Sequence, residues 1–372
     1  MDSTSLTVPF VQEIAKEALT SVPERYVRPL HERPTLSSTT TPLPQVPVID
    51  LSKLFSQDLK ESELENLHSA CKEWGFFQLI NHGVSNSLVE KVKRGVHELF
   101  NLPIEEKKMF AQREGEGVEG YGQAFVVSEE QKLEWADMFF MLTLPPQVRK
   151  PYLFPKLPLP FRDDLERYCG ELKKLAMKII ELMGSALSVE RKEIRELFGE
   201  GVQSMRMNYY PPCPEPEVVM GLNPHSDGGG LTILLQANEM EGLQINKDGM
   251  WIPVKPLPNS FIINLGDMLE IMTNGIYRSI EHRATVNSEK ERISIATFYN
   301  PGMEVTLGPA PSLVTPKTPP LFRSIKVTEY YAGYLSRELK GRSYLDTMRI
   351  PNNDHKTSSH CFDSKHTHST NI

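Results

Sequence analysis

Residues 223–236 read NPHSDGGGLTILLQ, and residues 292–300 read RISIATFYN. Both segments contain short runs of β-branched and aromatic residues next to turn-forming residues, which is typical of β-strands. Five more runs of the same kind follow Gly201, namely MRMNYY, LQI, WIPV, SFIINLG and YRSIEHRA. Many short strands separated by turns predict a β-sandwich or a jelly-roll barrel, and we place this core at residues 201–305. Asn274-Gly275 within it is a dipeptide typical of hairpins.

The segments on either side of this core have different patterns. Residues 151–200 carry apolar residues at three- and four-residue spacing, as in LERYCGELKKLAMKIIELMGSAL, and predict connecting helices. Residues 46–150 mix strands such as VPVIDL and GFFQLINHG with helices, which predicts an α/β region. The remaining parts are an N-terminal helix and extended arm at 1–45, a C-terminal helical segment at 306–350, and a polar, disordered tail at 351–372.

Composition excludes several classes of protein. The chain has 372 residues with a net charge of −7 and shows no basic cluster, so we expect no nucleic-acid partner. No apolar run approaches the roughly 18–20 residues needed to cross a membrane, so we expect no membrane partner either. The four cysteines (Cys71, Cys169, Cys213 and Cys361) lack paired spacing, which favours free thiols in the cytoplasm.

Three residues could bind a metal. His225 and Asp227 are two positions apart, so on a strand both side chains leave the same face. His282 lies in a later β-type run. Two imidazoles and one carboxylate leave coordination positions open and suit non-haem Fe(II), whereas zinc more often has cysteine or a third histidine and calcium has more oxygens. An isolated His-x-Asp pair is usually structural, so the interpretation depends on further residues.

Arg292 and Ser294 strengthen the interpretation that these three residues form a metal site. They share a strand face ten residues after His282, and a buried arginine needs an anion, which its planar fork can bind as a carboxylate. Asn208 and Tyr210 repeat the same two-residue spacing upstream. Alone, the Arg-x-Ser pair is more typical of a solvated surface strand; the combination in this order is what predicts a site.

The chain closely resembles a known family over residues 8–350. The resemblance lies in VPVIDL, ACKEWGFFQLINHGV, RMNYYPPCP, PHSDGGGLTILLQ, EGLQI, GDMLEIMTNGIYRSIEHRA and ERISIATFYNP. It is to plant 2-oxoglutarate- and Fe(II)-dependent dioxygenases, in the subgroup of senescence-related dioxygenases, norcoclaurine-synthase-like proteins and opium-poppy alkaloid O-demethylases. The tail beyond Pro351 is a departure from many of these relatives.

The resemblance implies a fold, a reaction and a set of site residues. The fold is mainly β with flanking helices, around a double-stranded β-helix (jelly-roll) core. The cofactors are Fe(II), 2-oxoglutarate as cosubstrate, O2, and ascorbate as reductant. The implied iron ligands are His225, Asp227 and His282. The residues implied to bind the distal carboxylate of 2-oxoglutarate are Arg292 and Ser294, assisted by Tyr210 and Asn208.

The expected activity is hydroxylation or O-demethylation of a small, largely apolar plant metabolite such as an alkaloid, phenolic or terpenoid, by a monomeric enzyme. Phe298 follows Ser294 on the same strand face and could stack on a ring of this substrate; the alternative is core packing. Tyr121, in a Gly-rich loop, is a candidate for closing the pocket, or else a turn residue. Two rival functions remain: an ascorbate-dependent aminocyclopropane-carboxylate-oxidase-like enzyme, and a catalytically silent binding protein on the same fold.

Overall fold

The structure is a computed structural model that describes residues 6–17, 19–34, 43–113, 115–338 and 341–351. The predicted disordered tail falls almost entirely outside the described residues, as does the part of the N-terminal arm at 35–42. The strands are β1 Val48–Asp50, β2 Phe76–Ile80, β3 Gly120–Gly122, β4 Asp137–Leu144, β5 Val202–Tyr210, β6 Leu222–His225, β7 Leu231–Gln236, β8 Leu243–Lys247, β9 Met250–Pro253, β10 Phe261–Leu265, β11 His282–Ala284, β12 Arg292–Asn300, β13 Thr306–Leu307 and β14 Ile325–Lys326. The helices are α1 Val11–Ile14, α2 Lys60–Ser69, α3 Asn86–Phe100, α4 Ile104–Lys108, α5 Phe161–Ala186, α6 Arg191–Phe198, α7 Asp267–Met272, α8 Val327–Leu335 and α9 Ser343–Met348.

Two sheets form the core. The major sheet has the strand order β1-β2-β10-β7-β12-β5-β4-β3, and the minor sheet has the order β6-β11-β8-β9. Inward-facing residues of both sheets line one cavity, with His225 and His282 on the minor sheet and Asn208 and Arg292 on the major sheet. The predicted mainly β fold, with a jelly-roll core of two facing sheets, is confirmed.

The major sheet also joins two regions that the sequence predicts as separate, residues 46–150 and 201–305. β2 pairs antiparallel with β10, and β4 pairs antiparallel with β5 from Asp137 opposite Tyr209 to Met141 opposite Met205. Strands from residues 46–150 therefore extend the sheet of the 201–305 core on both of its edges. Because the backbone hydrogen bonds cross from one region to the other, the two regions share a single core.

The long helix α5 supports the major sheet from outside the cavity. Its buried residues include Leu165, Leu172 and Ile179, and the carbonyl of Cys169 accepts a hydrogen bond from the Gln203 side chain of β5. Burying each large apolar side chain contributes about 1.5–3 kcal/mol. The packing holds the strands that carry the site residues in fixed positions.

Two sequence interpretations were wrong in detail. Asn274-Gly275 does not form a hairpin: these two residues lie just beyond the C-terminal end of α7, with φ values of 50° and 77°. α7 has only six residues, which is too short a segment for apolar periodicity to reveal a helix. The C-terminal segment 306–350 contains the strand pair β13–β14 as well as its two helices.

Within the described residues, no helix is both long enough and apolar enough to cross a membrane.

Candidate active site

Two neighbouring strands bring the three proposed metal ligands together. β11 pairs with β6 so that His282 lies opposite His225, and Asp227 follows two residues after β6 ends. The Nε2 atoms of His225 and His282 lie 3.5 and 3.7 Å from Oδ1 of Asp227. The three ligand atoms all lie within 4.8 Å of one another, and all three residues are buried. One ion can therefore contact all three.

Hydrogen bonds on the far side orient these ligands. Nδ1 of His225 donates to the Asn223 carbonyl at 2.7 Å, and Nδ1 of His282 donates to the Ile280 carbonyl at 3.2 Å. Since a carbonyl oxygen can only accept, each ring keeps its proton on Nδ1, and the Nε2 lone pair points to the centre of the triad. Backbone carbonyls thus select the tautomer that a metal requires.

Asp227 is held in its ionised form. Its Oδ2 accepts hydrogen bonds from the Thr232 hydroxyl at 2.6 Å and the Asn264 amide at 2.7 Å. Burial alone raises the pKa of the Asp227 carboxyl, but the two imidazoles and the Thr232 hydroxyl outweigh burial and hold this pKa well below its usual range. Burial, with a smaller contribution from His225, lowers the pKa of His282 to about 4, so its ring is neutral at physiological pH.

Arg292 is a buried cation with unused donors. Its side chain is 1% exposed, and its Nε and Nη1 have no hydrogen-bond partner among the described residues. Nη2 lies 3.5 Å from Oε1 of Gln236, and the guanidinium lies 5.0 Å from the Tyr210 ring centroid. No acidic side chain of the described residues pairs with it. A buried guanidinium without an anion is costly, so the site calls for an anionic ligand.

Ser294, Asn208 and Tyr210 surround Arg292 because of strand register. Arg292 lies opposite Tyr210, and Ser294 lies opposite Asn208, across the β12–β5 pair. The Asn208 amide donates to the Ser294 hydroxyl at 3.3 Å, while Oδ1 of Asn208 has no partner in the described part of the chain. A Cβ at Gly242 would lie 2.8 Å from Cδ of Arg292, so glycine leaves room for the arginine.

The same cavity continues into an apolar region. The cavity volume is about 150 Å³, and the cavity opens to solvent. Ala296 and Phe298 extend the inner face of β12 beyond Ser294, as strand alternation predicts. The other apolar and aromatic residues of the lining are Phe76, Val118, Ala124, Phe125, Met138, Phe140, Leu222, Leu234, Leu243, Ala284, Tyr331, Tyr334 and Leu335. The cavity therefore combines a polar end with a long apolar surface.

The structure places Tyr121 elsewhere. This residue is 3% exposed and does not line the cavity; its hydroxyl donates to Gln12 at 3.2 Å and lies 3.3 Å from Oδ2 of Asp137. The assignment of Tyr121 to pocket closure is corrected, because β3 pairs with β4 and turns this ring toward the N-terminal arm. Phe125 of the same loop lines the cavity instead and makes an edge-to-face contact with Tyr334, with ring centroids 6.0 Å apart.

Sequence reasoning missed three kinds of lining residue. Arg206 and Ser204 share the inner face of β5 with Asn208 and Tyr210, so continuing the two-residue alternation would have found them. Phe125 follows the Gly-rich loop, and only the pairing of β3 and β4 brings it to the cavity. Tyr331 and Tyr334 come from α8, about 50 residues beyond the last metal ligand, and nothing local in the sequence predicts where α8 docks.

Two family models match the chain. The model of the 2OG-Fe(II) oxygenase superfamily matches residues 201–301, which hold the cavity's polar end. The N-terminal model of the non-haem dioxygenases in morphine synthesis matches residues 46–157. The chain belongs to the 2OG-Fe(II) oxygenase superfamily. The fold and the buried His-Asp-His triad agree with this membership, and the predicted subgroup is confirmed by the relatives described next.

The chain is 58% identical to the oxoglutarate-dependent flavonoid 7-O-demethylase 1 of Ocimum basilicum over 348 residues, which are 94% of this chain and 92% of that protein. It is 52% identical to the codeine O-demethylase of Papaver somniferum over 352 residues, which are 93% and 97% of the two chains. Among solved structures, JOX2 in complex with 2OG, Fe and JA has a TM-score of 0.84 and 35% identity, and the match covers 93% of this chain and 99% of JOX2.

Family membership settles the class of reaction. The protein is an Fe(II)- and 2-oxoglutarate-dependent dioxygenase, as the sequence predicted. The residues present fit both groups: two imidazoles and a carboxylate form the ligand set that Fe(II) takes in such oxygenases, and the unpaired donors of Arg292 suit a carboxylate of 2-oxoglutarate.

Proposed function

We propose that this dioxygenase oxidises a small, ring-bearing, largely apolar plant metabolite, by hydroxylation or O-demethylation, at a site formed by His225, Asp227, His282 and Arg292. The observation that carries the proposal is the fully buried Arg292, whose Nε and Nη1 lack partners and which lines the same cavity as the His-Asp-His triad. A cation placed in this way needs a carboxylate, and 2-oxoglutarate supplies one at each end.

Each polar residue has a distinct part in this proposal. Arg292 binds the distal carboxylate of 2-oxoglutarate, and the Ser294 hydroxyl donates to the same group. Tyr210 packs its ring against the guanidinium, and Asn208 fixes the Ser294 hydroxyl. His225, Asp227 and His282 hold Fe(II), which supplies the oxidising chemistry when it is bound.

The apolar surface argues for the kind of substrate. Phe298, Phe125, Tyr334 and Leu222 present ring faces and aliphatic side chains to the cavity, and a planar ring gains from such contacts. The relatives named above are a flavonoid 7-O-demethylase and a codeine O-demethylase, which supports a methoxylated aromatic compound as the first substrate class to test.

O-demethylation of such a compound has a defined balance. Hydroxylation of the methyl C–H bond gives a hemiacetal, which breaks its C–O bond to release formaldehyde and leave the phenol. One oxygen atom of O2 becomes bonded to the methyl carbon and the other is incorporated into succinate, while 2-oxoglutarate loses CO2. The chain itself orients the methyl group and keeps the cavity dry around it.

The test is a metabolite screen of the Fe(II)-loaded protein with 2-oxoglutarate and O2. We expect succinate to form in equal amount to a product that has lost a methyl group or gained an oxygen, as read by mass spectrometry. His282→Ala is the matched inactive control. Turnover with ascorbate that needs no 2-oxoglutarate would favour the aminocyclopropane-carboxylate-oxidase-like alternative, and ligand binding without succinate would favour a silent binding protein.

Three further parts of the proposal concern the enzyme's surroundings. We propose that ascorbate maintains the iron in its reduced form, that the enzyme acts as a monomer, and that it resides in the cytoplasm. The support for a cytoplasmic location is that Cys71, Cys169 and Cys213 are buried free thiols, as in proteins of a reducing compartment. Mass photometry tests whether the enzyme is a monomer, and activity measured with and without ascorbate tests the role of ascorbate.

A further inference from the structure

Arg206 is a second buried arginine in the cavity, and the assignments above give it no role. It lies on β5 with Phe140 of β4 on one side and Ala296 of β12 on the other. Because side chains alternate along a strand, Arg206 points inward with Asn208 and Tyr210. It lines the cavity between the apolar side chains of Phe140 and Ala296.

The hydrogen bonding of Arg206 is incomplete. The residue is 9% exposed, and its Nε is a buried donor with no partner in the described residues. Its nearest acid is Glu134, whose Oε2 lies 3.6 Å from Nη2, too far for a hydrogen bond. The other oxygen of Glu134 accepts a hydrogen bond from the backbone N–H of Asn223 at 2.9 Å. Arg206 thus has a charge partner but an unused donor.

Arg206 and Arg292 are placed to bind different ligands. Arg292 lies opposite Tyr210 at one end of the β5–β12 pair, whereas Arg206 lies opposite Ala296 in the middle of the pair, four residues before Tyr210. At a strand rise of about 3.3 Å per residue, these positions are about 13 Å apart, too far for one small dicarboxylate to occupy both while it contacts the metal. Arg292 has no acidic partner among the described residues and suits an anion, whereas the charge of Arg206 is balanced by Glu134.

We propose that Nε of Arg206 donates a hydrogen bond to an uncharged oxygen acceptor of the organic substrate, such as a ring carbonyl, and that Arg206 thereby selects among ring-bearing substrates. Glu134 is a positioning residue: it balances the guanidinium and so disfavours a substrate carboxylate at this point. The inference rests on the proposed function and adds the chemistry that the substrate must carry.

The experiment uses two probes that differ in one carbonyl group, 7-methoxyflavanone and 7-methoxyflavan. Binding of each is measured by calorimetry on the full-length protein loaded with Fe(II) and 2-oxoglutarate under anaerobic conditions, so that turnover does not interfere. We expect Arg206→Met to weaken flavanone binding at least tenfold and flavan binding less than threefold. Arg206→Gln, which keeps a donor, should recover part of the flavanone affinity.

A matched control is Arg28→Met. Arg28 is also buried, has an unpartnered Nε and an ion pair of 3.7 Å with Glu32, but does not line the cavity. This variant should bind both probes as the parent protein does. If Arg206→Met does not fold, the Arg206→Gln and Glu134→Gln variants carry the comparison.

Glu134→Gln tests the charge argument. It keeps an oxygen for the Asn223 amide and removes the negative charge, so it should strengthen binding of 4-methoxycinnamate relative to its uncharged amide by about tenfold. Three results would each overturn the proposal. The first is an equal loss of affinity for flavanone and flavan in Arg206→Met, and the second is an unchanged preference between 4-methoxycinnamate and its amide in Glu134→Gln. The third is failure of the parent protein to bind the flavanone. Retained 2-oxoglutarate binding in all these variants separates such a result from failure of the proposed function.

Discussion

Replacing Arg292 by leucine should have opposite effects on catalysis and on the stability of the ligand-free protein. In the structure, the guanidinium is 1% exposed and leaves Nε and Nη1 without partners in the described residues. An unpaired buried charge costs several kcal/mol, and replacing it by an apolar side chain removes that cost. We therefore expect the ligand-free Arg292→Leu variant to unfold at the same or higher denaturant concentration than the parent protein.

The expected loss of affinity for 2-oxoglutarate is large, and its range can be calculated. Removing one partner of a buried charge pair costs roughly 2–5 kcal/mol, which at about 1.4 kcal/mol per factor of ten is about 30-fold to several thousand-fold in affinity. For the parent protein, 2-oxoglutarate at about 100 times its Kd adds about 2.7 kcal/mol to the free energy of unfolding. At the same ligand concentration, the variant should lose about two thirds of this added stability at the lower limit of the affinity range and nearly all of it at the upper limit.

Two measurements check the reasoning. The KM for 2-oxoglutarate comes from succinate formation, and the free energy of unfolding comes from denaturant titration of the Fe(II)-loaded protein with and without 2-oxoglutarate, under anaerobic conditions. The KM for the organic substrate should change far less. Arg28→Leu, a buried arginine away from the cavity, is the control and should keep the parent KM for 2-oxoglutarate. An unchanged KM in Arg292→Leu, or a loss of several kcal/mol of stability without ligand, would show that Arg292 is only structural.

Three further outcomes follow from the site. His282→Ala should abolish iron binding and turnover with the circular dichroism spectrum retained, because one of three ligands is lost; an active purified variant would contradict the metal assignment. Phe298→Ala should weaken substrate binding by about 0.5–1.5 kcal/mol beyond the lost area and raise uncoupled succinate formation; loss of 2-oxoglutarate binding instead would reverse the proposed orientation of the cavity. Deleting residues 352–372 should leave kcat and KM unchanged, since this polar segment lacks the apolar residues needed for packing and the described residues that line the cavity all precede 336; a folded but inactive truncation would refute this.

Strand alternation explains why much of the site could be predicted. A period of two is a local property, so the spacing of Arg292, Ser294 and Phe298 within one strand was enough to put them on one face. The same rule led to His225 and Asp227, although β6 ends at His225 and Asp227 lies two residues beyond it. It could not show that His282 lies opposite His225, since pairing of β6 and β11 is a long-range contact. That step came from the family resemblance.

Other parts of the structure lacked such a local signal. α7 is only six residues long, too short for apolar periodicity to be read, so its sequence is as compatible with turns as with a helix. Tyr121 and Phe125 come from one loop, and only the pairing of β3 with β4 decides that Phe125 rather than Tyr121 faces the cavity. The position of Tyr334 depends on where α8 docks.

The two cavity arginines show how one strand pair can distinguish two ligands. Arg292 and Arg206 face the same cavity and both leave a buried donor unused, so neither side chain is satisfied by the protein alone. The difference between them is Glu134, which approaches only Arg206 and comes from outside the two strands. Because the rigid sheet fixes both positions, the part of the cavity near Arg292 favours an anion and the part near Arg206 favours an uncharged acceptor. The cosubstrate and the substrate are thus separated by charge as well as by shape.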